Sequence, residues 1–267
     1  MHAIGIDIGG TKIAGALVSA EGTILKELRV PTPANDSNAI SDAVVKLIRE
    51  LASGEDVVAA GVAAAGYVNA ERSHIVYAPN LSFRNEPFKE KLEAQLDLPV
   101  FIDNDANAAG WAEFRFGAGR GYRHMAMLTI GTGVGGAIIT DGRLLRGGFG
   151  VAGELGHIRH IPNGLLCGCG RRGCIEQYGS GTALLRSAIE LAHSDETKGA
   201  RLSTLMIENG GELTGTQVYQ AISESDPGAL ELLTNLGVAL GKTVATLAAV
   251  VDPEVVVIGG GVSAAGE

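Results

Sequence analysis

Apolar residues come first in short runs of strand length and then at helical spacing. Residues 3–8, AIGIDI, form an apolar run that ends in GGTK; IAGALVSAEG and TILKELRV follow, each after a turn. This predicts strand, turn, strand, turn, strand. From Asp36 the period changes. Ile40, Ala43, Val44, Leu47, Ile48 and Leu51 fall on one face of a helix. VVAAGVAAAG (57–66) is expected to be a buried strand closed by Gly66. PFKEKLEAQL (87–96) is expected to be a helix with Pro near its start. PVFID (99–103) reads as a strand, and NDANAAGWAEF opens a helix.

The opening pattern then recurs. GALVSAEGTIL (15–25) aligns with GAIITDGRLL (136–145), and each follows a strand ending in a Gly/Thr-rich turn. A duplicated β-turn-β-turn-β unit implies an α/β fold of two related lobes with a cleft between them. The expected lobes are a small one over 1–104 and a larger one over 105–267. Further helices are predicted over Gly181 to His193, Thr214 to Ser223 and 226–251, the last with Asp226 as N-cap and Pro227 at N1. EVVVIGGG (254–261) is expected to be a last buried strand. A helix should follow that turn, and the 267 residues leave it little room.

Composition narrows the functions. Hydrophobic content of 46% suits a sizeable core, and 39 glycines suit close backbone approach to ligands. A net charge of −9 argues against an electrostatically driven nucleic-acid or membrane binder. No apolar run is read as long enough to span a bilayer, and the N-terminus enters a strand without a leader-like segment. The expected location is the cytoplasm.

Three glycine turns carry phosphate chemistry. DIGGTK (7–12) combines Asp7, Gly9, Gly10, Thr11 and Lys12 directly after a strand. Its N–H groups, hydroxyl and ammonium suit phosphate oxygens, and Asp7 suits a hydrated Mg²⁺. It is neither a Walker A loop nor GxGxxG. GTGVGG (131–136), with Thr132 and Gly133, and GGG (259–261), with Gly260 and Gly261, are the other two. Together they predict a nucleotide clamp.

Every cysteine lies in CGCGRRGC: Cys167, Cys169 and Cys174. A redox device would favour C-x-x-C, and packing would scatter cysteines through apolar runs. With His157 ten residues upstream the set is Cys₃His, which suits tetrahedral Zn²⁺ in a structural role. His160 is a rival fourth ligand. In DNDANAAGWAE (103–113) a carboxylate stands at a strand–helix junction. A carboxylate so placed can act as a general base toward an alcohol. Asp105 and Asp103 are both candidates, and Asp105 could instead be an N-cap.

DIGGTK, GTGVGG and IGGG resemble the nucleotide loops of the sugar kinase/actin/Hsp70 superfamily. GELGH…CGCGRRGCIE is similar to the signature of the ROK family (repressors, open reading frames, kinases), nearest to its zinc-containing bacterial glucokinases. The resemblance implies two RNase H-like lobes, ATP with Mg²⁺, a structural Zn²⁺ on His157 and the three cysteines, and phosphoryl transfer to O6 of glucose. It implies Asp105 as the base, and sugar contacts from Asn80, Asn104, Asp105, Glu154, His157 and Glu176, with Gly66 beside them. Glu176 could equally be a helix-start carboxylate. The resemblance further implies a homodimer or dimer of dimers, and a segment beyond the last glycine turn. Other readings are a kinase for N-acetylmannosamine, fructose, allose or mannose, polyphosphate as donor, or a sugar-sensing regulator. The resemblance implies a helix-turn-helix ahead of this body in regulators, and with IGID at residue 4 a regulator is not the expected reading.

Overall fold

Ile4, Ile6 and Ile8 turn to one side of the first strand, and Gly5 and Asp7 to the other. The isoleucines are buried, and the small opposite face is exposed. This strand, β1 (His2–Ile8), pairs antiparallel with β2 (Lys12–Ser19), which pairs antiparallel with β3 (Ile24–Pro31). Helix α1 (Ser37–Ala52) follows, capped by the Asp36 carboxylate, which accepts from the N–H groups of Asn38 and Ala39 at 2.9 and 3.1 Å. Its buried face carries Ile40, Val44, Leu47, Ile48 and Leu51, as the period predicts. The helix lies close on the sheet at Gly15, where a Cβ would stand 2.8 Å from Leu47 Cδ2 and 2.9 Å from Leu51 Cδ1.

Strand β4 (Val57–Ala64) joins β1 in parallel. A small antiparallel sheet of β5 (Tyr67–Val68), β6 (Ile75–Tyr77) and β7 (Arg84–Glu86) leads to α2 (Phe88–Glu93). Strand β8 (Val100–Asn104) then pairs in parallel with β4, and α3 (Asp105–Phe116) begins at once. The main sheet order is β3-β2-β1-β4-β8. Its parallel register aligns Ile8 with Ala64 and Ala64 with Asn104, so three strands end together.

The computed structural model describes residues 1–262. The chain divides into two compact units: Met1–Gly121 with Arg143–Gly153, and Tyr122–Gly142 with the described residues from Glu154 onward. The division thus falls after Gly121, where the sequence suggested 104, because α3 packs on β8 and β4. The segment 143–153, which includes β11 (Arg143–Leu144), returns to the first unit. Gly150 lies there against the backbone of Val68 to Ala70 at φ +85°, and a Cβ on it would stand 2.5 Å from the Val68 carbonyl oxygen.

In the second unit β9 (Met125–Ile130) pairs antiparallel with β10 (Val134–Thr140) and parallel with β12 (Val255–Gly259). The run β10-β9-β12 repeats β2-β1-β4 in order and direction, and its β9–β10 hairpin matches the first two strands of the predicted repeat. The repeat is one residue shorter at its turn, where Asp141 and Gly142 both take positive φ. Helices α4 (Glu176–Gly179), α5 (Gly181–Ser194), α6 (Ala200–Glu208), α7 (Gly215–Ser223) and α8 (Pro227–Val251) fill the rest of the unit. Ala188, Leu202, Leu205, Val218, Ala221 and Ala229 form a core among them. Asp226 caps α8 through the Ala229 N–H at 2.8 Å, with Pro227 at its start.

Two expectations are corrected. Strand β12 is not fully buried: Val257 is, while Ile258 is 44% exposed, since among the described residues β12 ends the sheet order and pairs only with β9. Helix α8 is long and apolar enough to cross a bilayer by length and composition, which the sequence reading missed because small residues and Lys242 dilute the run. In the structure it packs on α4, α5 and α7, burying Leu236, Ala239, Thr243 and Leu247. The helix expected after the last glycine turn would lie outside the described residues.

Candidate active site and metal centre

Ligands of open α/β sheets bind beyond the carboxyl ends of parallel strands. In the first unit that edge carries most of the predicted residues. Asp7 precedes the last residue of β1, Gly66 follows β4, and Asn104 ends β8. The GGTK turn closes through the Gly9 N–H, which donates to the Lys12 carbonyl at 3.0 Å. Thr32 pins it: its hydroxyl donates to the Gly9 carbonyl at 2.8 Å, and its N–H donates to the Thr11 carbonyl at 3.1 Å. A Cβ on Gly10 would stand 3.3 Å from Asn80 Cβ, so a predicted sugar residue abuts the phosphate turn. Gly66 has no room for a side chain, with the Tyr77 carbonyl oxygen 2.6 Å from where a Cβ would lie.

Asn104, not Asp105, is the N-cap of α3: its Oδ1 accepts from the Asn107 N–H at 3.0 Å. Its Nδ2 donates to the Gly66 carbonyl at 3.1 Å and to Asp105 Oδ1 at 3.0 Å. Asp105 is thereby left at the first helical position, half-buried, with a carboxyl that burial pushes above its usual range. The Asp7 charge pushes the same way, while the Ala106 N–H, the Asp105 N–H and Asn104 oppose the rise. Desolvation also raises Asp7, and Lys12 opposes it. A carboxylate held near a second carboxylate, with raised proton affinity, is a candidate general base.

Asp103 is differently placed. Alternation along β8 puts it on the exposed face with Phe101. Its Oδ2 pairs with Arg146 Nη2 at 2.5 Å, and its Oδ1 accepts from the Asn104 N–H at 2.9 Å and Asn107 Nδ2 at 3.2 Å. Asp7, Asp103 and Arg146 also border a cavity of about 890 Å³ on that face, lined by Gly5, Gly61, Phe101 and Trp111. The cavity does not take in Gly66, Asn104 or Asp105. Arg146 and Asn107 were not predicted; Arg146 lies 43 residues from its partner and belongs to no motif.

In the second unit the same edge holds the other two glycine loops. The Val262 N–H donates to the Ile130 carbonyl at 3.0 Å, and Gly260, at φ +95°, lies against the Ile130 backbone; a Cβ on it would stand 2.4 Å from the Ile130 oxygen. The turn with Thr132 and Gly133 closes by the Gly131 N–H to the Gly133 carbonyl at 3.0 Å. A Cβ on Gly133 would lie 2.5 Å from Glu176 Oε2, so a predicted sugar carboxylate sits on a predicted nucleotide loop. Glu176 does begin a helix, yet it makes no cap bond there. It accepts from the Val134 N–H at 3.3 Å, and its Oε1 lies 3.6 Å from Cys167 Sγ. Glu154 precedes a single 3₁₀ turn, Leu155–His157. That turn packs on β10 so tightly that a Cβ on Gly156 would overlap the Val134 carbonyl oxygen at 2.0 Å.

The ligand atoms of His157, Cys167, Cys169 and Cys174 all lie within 4.8 Å of one another. His157 Nδ1 is 3.6 Å from Cys167 Sγ, and Cys169 Sγ is 3.6 Å from Cys174 Sγ. Ligands bound to tetrahedral zinc at about 2.0 Å (N) and 2.3 Å (S) are roughly 3.5–3.8 Å apart, so the cluster fits that ion. Burial, with the neighbouring sulfurs, pushes the Cys174 thiol up to about 12. A divalent cation reverses such a shift by favouring thiolates. His160 is outside the cluster and lies beside Tyr178, ring centres 5.3 Å apart.

Residues 3–267 match the family described as the ROK family. The chain is 46% identical over 264 residues to the glucokinase of Streptomyces coelicolor, covering 99% of this chain and 83% of that protein. It is 40% identical over 271 residues to the glucokinase of Halalkalibacterium halodurans, covering 99% and 81%. Among solved structures it resembles a ROK family glucokinase from Streptomyces griseus in complex with glucose and AMPPNP. The TM-score is 0.86 and the identity 44%, covering 99% of this chain and 85% of that one.

Proposed function

Because this chain belongs to the ROK family and is a hexose kinase of it, we propose that it transfers the γ-phosphoryl group of ATP to O6 of glucose, with Asp105 as general base. The observation that carries the mechanism is the Asn104–Asp105 junction. It holds a carboxylate of raised proton affinity at the ends of three aligned parallel strands, beside the phosphate turn. Glucose and ATP are supported by the glucokinase likeness and by the S. griseus complex.

In this reading Asp105 accepts the proton of the O6 hydroxyl as O6 attacks the γ-phosphorus. The bond from that phosphorus to the bridging oxygen breaks, and ADP leaves with the electron pair. Asn80, Asn104, Asp105, Glu154, His157 and Glu176 are assigned to the sugar, with Gly66 fixing Asn104. Gly9, Gly10, Thr11 and Lys12 are assigned to the phosphates, and Thr132, Gly133, Gly260 and Gly261 to the nucleotide. Carboxylates, amides and an imidazole together supply the alternating acceptors and donors that a polyhydroxylated ligand needs.

Mg²⁺, held through water by Asp7, would neutralise charge on the transferring phosphate. Zn²⁺ on four protein ligands has no open position and would be structural. His157 turns Nδ1 toward the cysteines, which leaves Nε2 for a sugar hydroxyl. A cytoplasmic enzyme, assembled as a homodimer or dimer of dimers, completes the proposal.

The test is ADP release with Mg-ATP on glucose, mannose, N-acetylmannosamine and fructose, with polyphosphate as a second donor. Highest kcat/KM on glucose with ATP is expected. A higher value on another sugar, or with polyphosphate, overturns that part of the proposal and leaves the kinase mechanism standing. No turnover on any sugar overturns the mechanism.

A further inference from the structure

We infer that Asp103 and Arg146 are positioning residues for phosphoryl transfer: their ion pair sets the strand–helix junction that aims Asn104 and Asp105. The inference rests on the reading of Asp105 as the base.

Sequence alone made Asp103 a rival base. In the structure its two oxygens accept three hydrogen bonds, from Arg146 Nη2, the Asn104 N–H and Asn107 Nδ2. A carboxylate whose two oxygens are so engaged is poorly placed to take a proton from a ligand. It is well placed to hold the backbone at Asn104. Asn107 is buried, and its N–H in turn donates to Asn104 Oδ1. A closed relay therefore runs from Arg146 to Asp103, to Asn104 and Asn107, and on through Asn104 Nδ2 to Asp105 and Gly66.

Two features set this relay apart from an ordinary surface ion pair. First, Arg146 Nε and Asn107 Oδ1 are buried without a partner among the described residues. A network with unmet polar atoms is a poor stabiliser, which leaves the positioning of Asn104 as what it can do. Second, register places Asp7, Ala63 and Asp103 in one row across β1, β4 and β8. With Asp105 next along the chain, three carboxylates crowd one sheet edge, and Arg146 neutralises one of them. Arg146 is itself held by the 143–153 segment, where the Ala152 N–H donates to its carbonyl at 3.0 Å.

The experiment measures kcat and hexose KM against pH for Asp103→Asn, Arg146→Met, Arg146→Lys and the Asp103→Asn/Arg146→Met double variant, with Asp105→Asn alongside and a thermal melt for each. Misplacing a reacting group by an ångström costs on the order of 100-fold, so each removal should lower kcat by about 10- to 100-fold. The double variant should lose no more than the worse single one, because the two residues act as a unit. The acid limb of the profile should persist in all but Asp105→Asn. Arg146→Lys, which keeps the charge and can reach the one oxygen that Nη2 engages but loses the planar fork, should recover part of the loss and guards against a methionine variant that fails to fold. Unchanged kcat in both single variants, or losses that multiply in the double, overturns the inference. An active Asp105→Asn together with an Asp103→Asn that lacks the acid limb overturns instead the reading on which it rests.

Discussion

Asn104 Nδ2 stands 3.0 Å from Asp105 Oδ1 and donates to it, while the same amide holds the Gly66 carbonyl at 3.1 Å. The capping role that a strand–helix junction needs is thus filled by Asn104, which leaves the Asp105 carboxylate available for the base role proposed for it. Asp105→Asn keeps the shape and the neighbours of the side chain and removes its basicity. Turnover should fall by about 100- to 10,000-fold, the usual contribution of a general base. Glucose affinity, measured by calorimetry, should change little. Turnover within tenfold of the parent would remove Asp105 from its assigned role.

Burial and Asp7 raise the Asp105 carboxyl, and this has opposite consequences for activity and stability. The base works deprotonated, so kcat/KM should rise with pH through a value above the ordinary aspartate figure of about 3.9. A folded-state value above the unfolded one means that the folded chain holds this proton more tightly. The resulting stabilisation is fully present below the unfolded value and is lost as pH rises through the folded one. Asp105→Asn should therefore raise the urea midpoint near pH 7.5 and bring no gain near pH 4. An equal midpoint change at both ends of that range would show that the carboxyl is not perturbed.

What the sequence made legible was local. The β1 to β3 hairpins, the apolar face of α1 and the Asp226–Pro227 start of α8 follow from period and capping, which need only near neighbours. The Cys₃His cluster was legible because three ligands lie within eight residues and His157 ten before. Helix α6 was not, since its Gly199 cap offers no side chain and its Leu202, Leu205 and Met206 are ordered by packing against distant α5 and α7. The unit boundary was misplaced because α3 follows the carboxylate motif in sequence but packs back on β8 and β4. Arg146 had no signal, because only the return of 143–153 to the first unit brings it to Asp103.

Gly66 tests whether the site depends on a close backbone approach. A Cβ there would stand 2.6 Å from the Tyr77 carbonyl oxygen and 2.9 Å from Ala78 Cβ. Gly66→Ala must push β6 or the Gly66 carbonyl aside, and that carbonyl is the anchor of Asn104. The expected cost is about 1–3 kcal/mol of stability, as for overpacking elsewhere. It should appear as a lower urea midpoint at unchanged slope, with a raised glucose KM. A Gly66→Ala variant with parental midpoint and KM would show that the junction tolerates the shift.

The metal centre gives the last prediction. His157, Cys167, Cys169 and Cys174 converge, and Cys167 Sγ also lies 3.6 Å from Glu176 Oε1. Any ion there holds the 3₁₀ turn of His157 and the start of α4 in one frame. The purified protein should contain one zinc per chain by elemental analysis. Removing it with a chelator leaves three crowded thiols, of which burial pushes Cys174 up while hydrogen bonds lower Cys169. Cys169 should then become reactive toward a disulfide reagent, and the loop should become a site of proteolysis. Because His157 and Glu176 are assigned to sugar and Asp105 to chemistry, metal loss should raise the glucose KM at least about tenfold, a typical loss when the support of a ligand is removed. Added zinc should restore it. Metal-free protein with unchanged glucose KM would separate the zinc from the sugar site, and a metal content of zero with full activity would remove the ion from the account.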